Sequence, residues 1–188
     1  MQRPIFLLRG RDNQLVEASL CSAEQRHRDD FKQHWCSQLR QSSQVDQGWD
    51  WEFKERVYGA SPGSEMYAIE CDGMTQGLML IDRLGHRSWF ESTQRILYVR
   101  ALATAPWNRL SIQSPPRYKT VGGKLLDFAR ERSTELGYRG IVGLHSLPEA
   151  EGFYRRMGLI DLGPDADQEN LVYFEGYRRA EPPEEPSP

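Results

Sequence analysis

Short apolar runs alternate along this chain with segments whose apolar positions recur every three to four residues. The first kind reads as strands and the second as helices packed by one face. Residues 5–8 and 15–20 are apolar runs around Gly10-Arg11-Asp12-Asn13, the pattern of a hairpin. Ser22 is a fair N-cap for a helix from Ala23 to about Gln41, with Phe31, Trp35 and Leu39 on one stripe. A polar loop, 42–48, leads to Trp49, Trp51, Phe53 and Val57, read as a short irregular helix. Residues 66–71 and 77–82 are strands joined through Asp72-Gly73. Residues 96–104 form the next strand, and Ala105-Pro106 ends it. Beyond Pro115-Pro116, a helix over 121–136 turns Leu125, Leu126, Ala129 and Leu136 inward and stops at Gly137. Residues 140–144 are a buried strand, and Pro148 opens a helix through Met157 that Gly158 closes. Residues 159–162 and 171–177 make a last strand pair. This order predicts an α/β fold, α+β-like, with a central sheet and helices on both faces.

Composition narrows the classes. The 188 residues fit one domain, 1–180, and no apolar run is long enough to span a bilayer. The opening residues are too short an apolar segment for a signal peptide, so the cytoplasm is the expected compartment. Residues 181–188 are rich in Pro and Glu and are expected to be disordered. The net charge of −3 falls on Glu181, Glu184 and Glu185, leaving 1–180 formally neutral. Such a body has no electrostatic footprint for general nucleic-acid binding. Cys21, Cys36 and Cys71 are odd in number and far apart, which excludes a disulfide framework and a CxxC site. His27 and His34 lie seven apart on a charged helical segment and are read as a solvated face; no metal site is expected.

The chemistry points to Arg117-Tyr118-Lys119-Thr120-Val121-Gly122-Gly123-Lys124, a loop opening onto a helix. A helix start binds phosphate because its unbonded N–H groups and its positive dipole end point the same way. It is no Walker A loop, since Leu125 follows Lys124 and no magnesium-binding hydroxyl is supplied. Nor is it a Rossmann fingerprint, since its glycines are adjacent. About thirty residues on, Phe153-Tyr154-Arg155-Arg156-Met157-Gly158 puts a tyrosine on a short helix.

In this order the motifs resemble the GCN5-related N-acetyltransferase (GNAT) superfamily. Leu102-Ala103-Thr104-Ala105-Pro106 matches its strand end, Arg117-x-x-Thr120-x-Gly122 its cofactor cradle, and Ala150-x-x-Phe153-Tyr154-x-x-x-Gly158-Leu159 its later helix. The runs 103–109 and 143–148 resemble a bacterial subgroup of it. The likeness covers about 96–177; earlier it rests on the order of elements. It implies one GNAT-type domain with a mixed sheet of about seven strands and acetyl-CoA as co-substrate. Leu102, Ala103, Thr104, Arg117, Lys119, Thr120, Val121, Gly122, Gly123 and Lys124 would then bind the cofactor. Three departures stand out: Thr120 replaces the cradle's first glycine, Leu147 stands where an asparagine is common, and the 109–117 loop is long.

The implied reaction is acetyl transfer from a thioester to a primary amine, in a small molecule or a peptide, with no membrane or nucleic-acid partner and a monomer or homodimer as the assembly. The amine must be neutral to attack, although a lysine-type ammonium has a pKa of about 10.4. A base therefore removes its proton, and N–H groups around 102–104 stabilise the oxyanion. Tyr154 holds the family position for protonating the departing thiolate. His145, at a strand end, is the candidate base, with Glu91 a poorer one. Trp107 and Asn108 are candidates for the acceptor pocket; Arg100, Arg155 and Arg156 read as surface arginines, with recognition of an acidic substrate the other option. Two alternatives stay open: a non-catalytic acyl-CoA sensor or scaffold, and a toxin-type acetyltransferase acting on aminoacyl-tRNA, against which the neutral body argues.

Overall fold

The computed structural model describes residues 1–176; Tyr177 and the Pro/Glu-rich tail expected to be disordered lie outside the described residues. The hairpin signals hold. β1 (Gln2–Arg9) pairs antiparallel with β2 (Leu15–Ser22), and β3 (Ser64–Cys71) with β4 (Met74–Asp82). With β5 (Leu97–Thr104), β6 (Tyr118–Lys119), β7 (Val142–Ser146), β8 (Ile160–Asp165) and β9 (Leu171–Gly176) they form one sheet in the order β6-β1-β2-β3-β4-β5-β7-β9-β8. The sheet thus has nine strands among the described residues where about seven were expected. β6, only two residues long, is held by pairing with Leu8 and Arg9 and has no apolar run of its own.

Alternation along the strands gives each face its own core. Met79 and Ile81 face α4 (Val121–Glu135), packing with Leu125, Leu126 and Ala129. Leu78 and Leu80 face the opposite helical layer, where Phe31, Trp35, Leu39 and Trp51 are buried. That layer runs through α1 (Gln25–Asp30), a π-helical turn (Phe31–Trp35), α2 (Cys36–Gln41) and, after a 3₁₀ turn (Val45–Gly48), α3 (Trp51–Lys54). Aromatic rings each remove ~150–250 Å² from water, so the Phe31–Trp35–Leu39 stripe fixes this layer to the sheet. Of the expected aromatic segment only Trp51 is buried; Phe53 and Val57 are exposed.

The helix start differs from expectation. Ser22 ends β2, and Glu24 is the N-cap, in a capping box with His27. The Glu24 N–H donates to His27 Nδ1 at 2.7 Å, so Nε2 carries the proton and faces Glu70 at 3.1 Å. His27 is therefore fully buried, not on a solvated face. Cys21, His27 and Glu70 place ligand-type atoms within 4.8 Å of one another. A metal-bound histidine donates from its other nitrogen, whereas Nδ1 here accepts, so the cluster is a helix cap.

Two irregularities of β5 shape the site. Leu80 pairs with Ala101 and Ile81 with Val99, so Arg100 is an extra residue, a β-bulge. The bulge switches the faces: Leu97 and Val99 pack toward α4, whereas Ala101 and Ala103 pack toward the α1–α3 layer. β5 also pairs with parallel β7 only at Leu97↔Val142 and Tyr98↔Gly143. From there the two strands part. No described helix is long and apolar enough to cross a membrane.

Candidate active site

A cavity of about 620 Å³ opens where β5 and β7 separate. One wall is the end of β5, Leu102, Ala103 and Thr104; another is the start of α4, Thr120, Val121, Gly122 and Gly123. α5 (Glu151–Arg156) and the turn before it supply Glu149, Phe153, Tyr154 and Arg156. From the opposite layer come Gln44, Asp46 and Trp49, so the cavity beside the end of β5 is lined from both layers.

The start of α4 could hold an anion. Lys124 N–H is the first to bond within the helix, to the Thr120 carbonyl at 2.8 Å, and no side chain caps the end. The N–H groups of Val121, Gly122 and Gly123 thus have no partner among the described residues. Thr120, the N-cap, is left-handed at φ 68°, which explains why a glycine suits this position and why threonine holds it under strain. A Cβ on Gly122 would lie 3.2 Å from the Phe153 ring and 3.6 Å from the Thr104 methyl. The glycine keeps this passage open. Arg156 lines it with no carboxylate partner among the described residues.

Tyr154 packs against Phe153 and Phe174 and lines the cavity, and its hydroxyl has no hydrogen-bond partner among the described residues. Burial pushes its phenol pKa up, so the group stays protonated. A protonated phenol on a cavity wall has the chemistry of a general acid.

Other expected site residues sit elsewhere. His145 is on the opposite face from Leu144, with Tyr98 at 2.7 Å on Nδ1 and Asp165 at 2.9 Å on Nε2. Burial raises the Tyr98 phenol, which donates to Nδ1 and leaves Nε2–H for Asp165. With both nitrogens engaged and the ring outside the cavity lining, His145 is not placed to act as the base beside Tyr154. Trp107 is buried, its ring against Trp35 and its Nε1 donating to Gln76 at 2.8 Å, so it is core and not acceptor pocket. Asn108 does line the cavity, and its Oδ1 accepts from Tyr118 N–H at 2.9 Å. The side chains of Arg117 and Lys119 turn away, to Asp72 at 3.4 Å and Asn13 at 2.7 Å. Lys124 lies on the first turn of α4 but not on the cavity wall. Glu91 is exposed, 3.9 Å from Arg139; Arg100 bonds Asp82, and Arg155 bonds Glu151 and Asp161.

Sequence reasoning missed Arg109 and Asp46. Arg109 donates to both Asp46 oxygens, at 2.7 and 2.6 Å, and both residues line the cavity. The two are far apart in sequence, and no local pattern links them. Glu149, by contrast, is a lining carboxylate with no ion pair among the described residues.

No family model matches this chain, and no curated protein does. Solved structures do. A histone acetyltransferase-type protein of Corynebacterium glutamicum is 18% identical, with a TM-score of 0.53 over 87% of this chain and 97% of that one. A GNAT-family acetyltransferase of Listeria monocytogenes is 14% identical, with a TM-score of 0.57 over 86% and 95%. A variant of the toxin AtaT, bound to the C-terminus of the antitoxin AtaR, is 13% identical, with a TM-score of 0.51 over 84% and 91%. At these identities the likeness is one of fold. The chain has the fold of the GNAT acetyltransferases.

Proposed function

We propose that this protein is an N-acetyltransferase that moves the acetyl group of acetyl-CoA to a primary amine by direct attack on the thioester. The observation that carries this reading is the single cavity joining three things: the open start of α4, the unpaired end of β5 and the Tyr154 hydroxyl. The residues fit the co-substrate. A diphosphate suits the N–H groups of Val121, Gly122 and Gly123, with the charge of Arg156 beside them. The thioester arm then follows the gap between β5 and β7. Past Tyr98 the β7-facing edge of β5 has no strand partner among the described residues, which leaves its backbone N–H groups for the oxyanion.

The acceptor enters from the side of Gln44, Asp46 and Trp49. Its ammonium proton leaves through water toward Glu149, since Asp46 is already held by Arg109. Collapse of the tetrahedral adduct breaks the C–S bond, Tyr154 gives its proton to the thiolate, and the extra proton on the adduct's nitrogen passes back to the phenolate. The test is an acceptor panel with acetyl-CoA, covering small amines, amino acids, peptides and aminoacyl-tRNA, read by free-thiol release and mass spectrometry. The reading predicts one class of amine gaining the mass of an acetyl group in step with thiol release. Binding of CoA with no acetylated product from any amine would instead make the protein a sensor.

A further inference from the structure

We propose that Arg109 is a positioning residue that locks the free end of β5 and the turn carrying Asp46 into one geometry across the cavity. The proposal rests on the acyl-CoA reading above and concerns how the thioester end of the site is held.

The end of β5 needs such a device. Its ladder with β4 ends at Gly77↔Thr104, with one further bond from Ala105 N–H to the Gln76 carbonyl at 2.9 Å, and on the other edge β7 has departed well before. With the β7 edge open, the Thr104 carbonyl needs a donor from elsewhere in the fold. Arg109 supplies it: Nε and Nη2 donate to the Thr104 carbonyl at 3.0 and 2.9 Å. The same guanidinium takes Asp46 through two parallel bonds, Nη1 to Oδ1 and Nη2 to Oδ2, and Nη1 also reaches Gln44 Oε1 at 3.3 Å. Every nitrogen of the fork is used. Asp46 is buried on the 3₁₀ turn Val45–Gly48, in the layer that faces the acceptor. The backbone of Arg109 adds a third anchor, since its carbonyl accepts from Ile112 and Gln113 and starts the rim loop at the mouth.

One planar cation thus joins the strand that meets the thioester to the turn that meets the acceptor, and the backbone of the same residue holds the rim. A lysine cannot replace it. Its single ammonium neutralises Asp46 but cannot hold two parallel bonds and the Thr104 carbonyl together. Arg109→Lys therefore keeps the charge balance and frees the tip of β5. The α4 start, which holds the diphosphate, has no bond to Arg109 and should be unaffected.

The experiment is calorimetric titration of the full 188-residue chain with CoA and, separately, with acetyl-CoA. Wild type should prefer acetyl-CoA by about fivefold, what one net hydrogen bond to the acyl carbonyl is worth. In Arg109→Lys that preference should vanish while CoA affinity stays within about twofold of wild type. A purely structural role would lower both affinities together, and that result overturns the proposal. So does an unchanged preference in the variant, or equal affinities in wild type. Wild type that binds neither ligand refutes the acyl-CoA reading itself, which separates the two failures. Should Arg109→Lys not fold, Asp46→Asn is read by the same ratio, since it loosens the same link from its other end.

Discussion

In the proposed reaction Tyr154 is the proton donor. Its ring is built into the core by Phe153 and Phe174, and the residue lines the cavity with no described partner for its hydroxyl. Tyr154→Phe deletes the donor and keeps the ring, so stability and CoA affinity should change little. Turnover should fall roughly ten- to a thousandfold, the range of a general-acid step. Comparison of kcat with the acceptor from the panel checks this, and equal turnover would return Tyr154 to packing alone. The position of Tyr154 in its motif made the residue legible in the sequence. His145 was legible only as a histidine at a strand end. That both its nitrogens are taken depends on Tyr98 from one strand and Asp165 from another, and no local pattern encodes either partner.

At the scale of the element, the start of α4 carries a cost that its sequence displays. Thr120 sits at φ 68°, a region that costs a non-glycine residue about 1–2 kcal/mol, and its side chain makes no capping bond in return. Thr120→Gly relieves this strain but adds about 0.4–1 kcal/mol of unfolded-state freedom. The net gain, from zero to about 1.6 kcal/mol, should raise Tm by up to about 6 °C in a chain of this length. Thermal unfolding of the two proteins decides it, and a lower Tm in the glycine variant would show that Thr120 makes a stabilising contact. The helix before it was read correctly in its stripe, Phe31, Trp35 and Leu39, and wrongly at its cap. The cap fails to show because His27 works through its ring nitrogen, a role that residue type alone does not announce.

For the whole molecule, hairpins and α4 were legible because turn residues and apolar periodicity are local signals. β6 was not, since two residues become a strand only by meeting β1 across the fold. The gap between β5 and β7 is likewise invisible in either strand alone, as it arises from where their pairing stops. The central claim is that this gap and the start of α4 hold acyl-CoA. Calorimetry of wild type and Gly122→Glu with CoA tests it most directly. A glutamate at 122 would push into Phe153 and set its charge against the diphosphate. Such a like-charge contact costs several kcal/mol, so affinity should fall at least about a hundredfold. The account predicts one CoA site per wild-type chain and none detectable in a Gly122→Glu protein of native circular dichroism. Wild-type affinity in that folded variant, or no binding to wild type, would contradict it.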